Sequence, residues 1–437
     1  MRRTALAFLR VWKENPNRKP LIIRGARQVG KTWLMKEFGK TEYKNCAYIN
    51  FEENQQLKSL FTDDFDISRI LLAIQVSTGI KPEPGNTLIV FDEVQEAERA
   101  ITSLKYFCEN APEYHIIAAG SLLGIAMHNN TSFPVGKVEF LDLFPLTFPE
   151  FVDALGEEQL FSLLFQNNWN IITTFKTKFI ELLKQYYFVG GMPEVVANFA
   201  INHNFEVVRR IHNQLLDSYE QDFSKHAPSD IVPRIRMVWN SIPAQLAKEN
   251  KKFIYGFVKQ GARAKDFELA LSWLVDCGLV HKVHRVSKPS IPLKSYEDFG
   301  AFKLYMADVG LLAAMANLDV KSLLEGNRIF EEFKGSLTEQ YILQQLITEH
   351  LLIPYYWSAE NAVSEVDFVI QYQNIVIPIE VKAAENLKAK SLRSFVQKYD
   401  SKMAIRTSMS DFRKESWLTN LPLYAFNRAF LQLKPLI

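Results

Sequence analysis

Cysteine is scarce: three residues in 437, Cys46, Cys108 and Cys277, lie far apart and form no CxxC pair. That argues against a disulfide framework and a structural zinc site, and it fits a reducing compartment. Long hydrophobic runs are also missing. No stretch approaches the ~18 uninterrupted apolar residues of a membrane helix, so the expectation is a cytoplasmic protein with no membrane partner. Net charge is nearly absent, with 51 Lys+Arg against 49 Asp+Glu. A polyanion-binding role therefore cannot rest on the total, and any basic surface has to be local. Internal repeats and low-complexity segments are lacking too. The 48% hydrophobic and 23% charged residues are the balance of an ordinary globular protein, not of a disordered, collagen-like or coiled-coil chain. At ~150 residues per domain the length suggests about three domains.

The N-terminal Met1–Arg10 superficially resembles a signal peptide, but Arg10, Lys13 and Glu14 break its apolar run and no small-residue cleavage site follows. It reads as a short amphipathic helix. Five short apolar runs come next: Pro20–Ile23, Cys46–Phe51, Thr87–Phe91, His115–Ala119 and Val138–Leu141. Continuous apolar runs separated by helix-length segments imply a buried parallel sheet, hence an α/β core over residues 1–155. From about Glu150 the periodicity turns helical, at Gln159–Phe165, Thr174–Tyr187 and Phe205–Tyr219. A helix over Asp266–Gly278 followed by an alternating strand, Leu279–Val286, outlines a winged-helix module within residues 156–290. Residues 291–437 form a third unit, with a long helix near Gly335–His350 and strands at Glu365–Ile370 and Ile375–Lys382 joined by a turn at Tyr372–Asn374.

Gly25-Ala26-Arg27-Gln28-Val29-Gly30-Lys31-Thr32 fits G-x-x-x-x-G-K-[ST] between a strand and a helix. Glycines let backbone N–H groups wrap phosphates, and the helix N-terminus adds positive potential. Lys31 is expected to reach the β- and γ-phosphates of ATP, and Thr32 to hold Mg²⁺. Leu88-Ile89-Val90-Phe91-Asp92-Glu93 carries Asp92 to the carboxyl edge of the sheet as a second metal-organising group. Glu93 is placed to act as general base on the attacking water. Ser121, ending the fourth strand, either contacts the γ-phosphate as part of the catalytic set or caps the next helix.

These three signals resemble the AAA+/STAND-related ATPases of bacteria and archaea. More narrowly, the chain is similar to predicted ATPases that pair such a core with a C-terminal domain of unknown function. Val138–Phe148, Gly190–Glu194 and Lys303–Leu312 strengthen the resemblance, whereas relatives often carry Arg where Lys137 stands. The resemblance implies that Gly191 and Pro193 form a G-x-P turn near the adenine; physically this is a rigid turn opening a helix. It also implies an arginine finger, for which Arg209, Arg210, Arg234 and Arg236 are candidates.

In the third unit Glu380 and Lys382 lie two apart on one strand face, Asp367 on the strand before, and Glu339 in the long helix. This order looks like the PD-(D/E)xK nuclease core, which implies Asp367 and Glu380 holding Mg²⁺, Lys382 orienting water and Glu339 completing the shell. Lys382–Lys414 holds nine Lys/Arg against three acids, and Lys251–Lys288 eight against three. Each is either a phosphate-binding stripe or a solvated face. His281 and His284, three apart on a strand, face opposite sides and make no metal pair. The reading is a Mg²⁺-dependent ATPase whose C-terminal domain binds or cuts DNA. The alternative is an ATP-controlled switch that docks a protein partner and carries an inactive nuclease-like domain. A homo-oligomer fits both.

Overall fold

The computed structural model describes residues 2–53, 55–61, 64–97, 99–120, 133–166, 168–248, 250–325, 331–348, 352–359, 364–385 and 389–426. The chain divides into two compact units, one of Arg2–Phe144 with Asp276–Leu279, the other of Pro145–Val275 with Val280–Ile437.

The first unit is a five-stranded parallel sheet. Its strands are β1 (Leu21–Arg24), β2 (Asn45–Asn50), β3 (Thr87–Asp92), β4 (His115–Ala119) and β5 (Glu139–Asp142). All five expected strands are present. β1, β3 and β4 form because their runs are apolar, β3 and β4 being buried at every position, while the edge strands β2 and β5 carry half-buried polar positions. The spatial order is β2-β3-β4-β1-β5, so the chain leaves β1, crosses to the far edge, returns to β4 and then adds β5 on the other side of β1. Ligands in open α/β sheets bind at the carboxyl edge beside such a reversal, and β1 ends there. Ile22, Ile49, Phe51, Phe61, Ile89, Phe91 and Ile116 fill one core layer, with Phe51, Phe61 and Phe91 in mutual edge-on contact. The N-terminal segment is a helix, Ala5–Glu14.

The second unit begins with helices. The expected ones appear at Glu158–Leu164, Lys176–Val189 and Phe205–His226, and Val232–Leu246 is a further one. The helix at Ala264–Asp276 leads into β6 (Val280–Val286) and β7 (Glu297–Met306), the expected helix-then-hairpin order. The hairpin does not close a separate module, however. It continues into an eight-stranded sheet with β8 (Tyr355–Ser358), β9 (Glu365–Tyr372), β10 (Ile375–Val381), β11 (Ile405–Ser408), β12 (Arg413–Lys414) and β13 (Thr419–Pro422). The order is β12-β13-β11-β10-β9-β8-β6-β7. A division at 290/291 would therefore separate two paired strands. Its signal, Pro289–Pro292, belongs to a loop inside the hairpin, since β7 resumes pairing immediately afterwards. Helix Glu331–Ile347 precedes antiparallel β8, β9 and β10, and helix Lys390–Tyr399 precedes β11, which runs parallel to β10. Among the described residues no helix is long and apolar enough to cross a membrane.

Candidate functional site

The first candidate site lies where β1 ends. Gly25 has φ +144°, and a Cβ there would stand 2.1 Å from the Leu143 carbonyl oxygen, so only glycine fits. Gln28 and Gly30 also have positive φ, at 66° and 93°, and together these turns curl the backbone around Ala26, Arg27 and Val29 into the first turn of helix Lys31–Glu42. Lys31 is buried (6% exposed), and its Nζ donates to the carbonyls of Gly25 and Ala26 at 2.9 Å each. Burial pulls its pKa down to about 8, although the carboxylates of Glu93 and Asp92 act the other way. A buried ammonium held by two carbonyl oxygens at the start of a helix is poised for an anion.

Thr32 Oγ1 donates to Asp92 Oδ2 at 2.7 Å. The same oxygen accepts from Tyr48 Oη at 2.8 Å, and Asp92 Oδ1 accepts from the Glu93 N–H at 3.0 Å. Burial and the Asp92 carboxylate raise the Tyr48 phenol, so it stays a donor. Tyr48 carries no motif and is missing from the sequence expectations; the signal that finds it is its register on β2, where it pairs with Val90, two residues before Asp92 on β3. Asp92 is 2% exposed at the strand end. The hydroxyl and carboxylate are oxygen donors of the kind that suits Mg²⁺, so the residues fit the ion. Glu93, with φ +50°, leaves the strand in the left-handed region, and its Oε2 accepts from Gln95 Nε2 at 2.6 Å. Ser121 lies outside the described residues. Gly278 groups with this unit and has φ +70°; a Cβ on it would come within 3.1 Å of the Ala26 nitrogen.

The second unit holds the remaining predicted residues. Gly191 is in the turn before helix Pro193–Asn202. Its N–H donates to the buried Asp308 carboxylate at 2.6 Å, and its carbonyl accepts from the Leu146 N–H at 2.7 Å. A Cβ on Gly191 would stand 2.1 Å from the Leu146 oxygen, which explains the glycine within the unit itself. Arg209 donates to the Leu318 carbonyl and covers the Phe188 ring at 4.6 Å, while Arg210, Arg234 and Arg236 are exposed.

Glu339, Asp367, Glu380 and Lys382 come together in this unit, and the structure adds Lys251, Lys303, Tyr305 and Glu365. Glu339 is 5% exposed. Its Oε1 accepts from Lys251; its Oε2 accepts from Tyr305 at 3.1 Å and lies 3.8 Å from Lys303 Nζ. Lys303 is 0% exposed and lies 2.5 Å from Glu365 Oε1. Asp367 Oδ2 accepts from the Val381 N–H at 2.7 Å, and Lys382 pairs with Glu380 Oε1 at 2.5 Å. Burial opposes the charge on Glu339, yet Lys251 and Lys303 outweigh it and hold its carboxyl below the ordinary range. Burial and the carboxylates of Glu339 and Glu380 push Asp367 well above that range. Burial likewise raises Glu380, with Lys382 acting against it. The expected magnesium shell is thus largely taken up by ammonium groups. Among the described residues no three His, Cys, Asp or Glu side chains are grouped to hold a metal ion. The sequence signal for Lys303 was a charge inside the apolar run Ala301–Met306, all of it buried.

The fold and the first site define a class: a parallel-sheet α/β core of the P-loop ATPase type, followed by a helical middle and a C-terminal α/β sheet. Residues 17–152 match the family model described as "AAA domain". Residues 180–322 and 334–426 match two described as domains of unknown function, DUF8612 and DUF4143. Among solved structures, the chain is similar to the Walker-type ATPase paby2304 of Pyrococcus abyssi, with 14% identity, 72% of this chain and 95% of that chain covered, and a TM-score of 0.46. It is also similar to the ORC1 protein of Aeropyrum pernix, solved in complex with DNA, at 11% identity, 72% and 90% coverage and a TM-score of 0.29. For Cdc6p from Pyrobaculum aerophilum the values are 12%, 74% and 93%, and 0.25. No curated protein matches the chain.

Proposed function

We propose that this protein is a Mg²⁺-dependent ATP-binding protein and ATPase that works as a nucleotide switch, with a nuclease-like C-terminal region that does not cut nucleic acid. The observation that carries the ATPase reading is the Thr32–Asp92 hydrogen bond of 2.7 Å beside the buried, carbonyl-held Lys31. Backbone N–H groups of Gly25–Thr32 would cradle the phosphates. Lys31 would exchange its carbonyl partners for the β- and γ-phosphate oxygens, whose charge offsets the burial of its ammonium. Thr32 and Asp92 would hold Mg²⁺, which neutralises charge developing on the transferred phosphoryl group. Glu93 would accept the proton of the attacking water, with Gln95 fixing its carboxylate. Ser121 remains part of this proposal as a γ-phosphate contact.

One observation supports the switch over the nucleic-acid enzyme. The order helix, three antiparallel strands, helix, parallel strand supports a nuclease-like fold in the C-terminal region. Glu339 and Glu380, however, are buried, and Glu339, Glu365 and Glu380 are each paired with a lysine, while Asp367 accepts from the Val381 N–H. A protein partner is the reading this favours, and DNA is the alternative. Calorimetry with ATP and Mg²⁺ tests the nucleotide site: Lys31→Ala should lose measurable affinity, and unchanged affinity would remove the loop assignment. Incubation of the intact protein with duplex and single-stranded DNA, Mg²⁺ and ATP tests the remainder, because cleavage that disappears in Lys382→Ala would reverse the choice.

A further inference from the structure

The N-terminal helix plays no part in the ATPase reading, yet the residues that open it reach the phosphate loop. Helix Ala5–Glu14 is fastened to helix Lys31–Glu42, which follows the loop. Arg10 Nε lies 2.7 Å from Glu42 Oε1, and the ring of the buried Trp12 meets that of Phe38 at 6.5 Å. At the other end the Arg3 carbonyl accepts from the Leu6 N–H at 3.0 Å, which ties the backbone of Arg3 to the start of the N-terminal helix.

Arg3 is only 8% exposed, a rare position for a guanidinium. Its Nη1 donates to the Val29 carbonyl at 3.3 Å and its Nη2 to the Phe144 carbonyl at 2.6 Å. Val29 is the loop residue before Gly30 and Lys31, and Phe144 lies just past β5. The segment after β5 also holds the start of the loop. The Leu143 N–H donates to the Arg24 carbonyl at 2.7 Å, and the Leu143 carbonyl is the atom that forbids a Cβ on Gly25. The loop is therefore gripped twice, at its start by Leu143 and near its end by Arg3. A planar guanidinium, with donors in a fixed fork, suits a bond to two carbonyls at once.

Peptide geometry says what the second grip does. The Val29–Gly30 peptide is trans. In a planar trans peptide the carbonyl and the N–H point in opposite directions. With the Val29 oxygen turned to Arg3, the Gly30 N–H is turned away from it. Gly30 has φ +93°, and glycine passes easily between such conformations, so this peptide is free to turn unless something holds it. Turned over, it would present a carbonyl where an anion needs a donor.

We propose that Arg3 is a positioning residue of the nucleotide site: by holding the Val29 carbonyl it keeps the Gly30 N–H aimed at the phosphates. Arg3 acts through the backbone of the loop. The inference rests on reading Gly25–Thr32 as the phosphate cradle.

The test is calorimetric titration of the full chain with ADP and Mg²⁺. Arg3→Met should weaken ADP binding by about tenfold or more while the circular dichroism matches the parent. Arg3→Lys keeps a cation that can donate to one of the two carbonyls, so it should recover part of that loss. Arg10→Gln loosens the same helix without touching the loop and should leave ADP affinity within about twofold of the parent. If Arg3→Met does not fold, Arg3→Gln takes its place under the same criteria. A folded Arg3 variant of either kind that binds ADP as the parent does overturns the inference. So does an equal loss in Arg10→Gln, which would make docking of the helix the cause, or an Arg3→Lys as weak as Arg3→Met. Lys31→Ala separates the two readings. If it abolishes ADP binding while Arg3→Met leaves it intact, only the role of Arg3 falls; if it too leaves ADP affinity unchanged, the loop assignment falls with it.

Discussion

Lys31 and Lys303 are both buried, yet their surroundings drive them in opposite directions. Lys31 donates to the carbonyls of Gly25 and Ala26, and burial lowers its pKa to about 8 although the charges of Glu93 and Asp92 act the other way. Lys303 lies between Glu339 and Glu365, whose charges overcome burial and raise it. A buried ammonium whose hydrogen-bond partners are neutral carbonyls is a group that a ligand anion completes. One enclosed by carboxylates is already complete, and breaking it exposes anions to a dry interior. The same residue type thus marks a ligand site in one unit and a closed network in the other.

The comparison can be broken from either side. The largest effect is expected from Glu93→Gln: ATP affinity stays within about twofold while single-turnover hydrolysis falls by about 10³. A variant that hydrolyses at the wild-type rate would remove Glu93 as base. Next is Lys303→Met, which strands Glu339 and Glu365 and should lower unfolding stability by about 3 kcal/mol in urea titration. A neutral outcome would mean that the network is dispensable. A third test uses pH. The folded, empty protein holds Lys31 protonated below about pH 8, and the phosphates require that proton. ATP affinity should therefore be flat below pH 8 and fall as pH rises above it, by up to about tenfold per unit, with proton uptake on binding. A flat profile to pH 9.5 would show that Lys31 keeps its ammonium without a ligand. The smallest effect is expected from Tyr48→Phe, which removes one donor to Asp92 and keeps the ring under Lys36. The Mg²⁺ concentration for half-maximal turnover should rise about fivefold, close to the ~1 kcal/mol of one hydrogen bond, while ATP affinity without metal stays unchanged.

Much of the first unit was legible because its signals are local. Gly25, Gly30, Lys31 and Thr32 are neighbours in sequence, and the strands carrying Asp92 and Ala119 read as apolar runs. The second unit was less legible. The strand pair at Asp367 and Glu380 was visible from alternation and its turn, where Gln373 takes φ +50°. β7 was not, because its glycine, lysine and acid-bearing start breaks any simple alternation, and its burial comes from β6 and the helices around it.

By itself, then, the sequence determined the phosphate loop, the acidic strand end and the α/β core, since each depends on residues close together in the chain and on the conformations they can adopt. Only the tertiary structure decided the state of the C-terminal carboxylates. Lys251 reaches Glu339 across 88 residues and Lys303 reaches Glu365 across 62. Whether an acid is open to metal or neutralised by an ammonium depends on distances of a few ångströms between segments whose separation in sequence says nothing about their meeting in space.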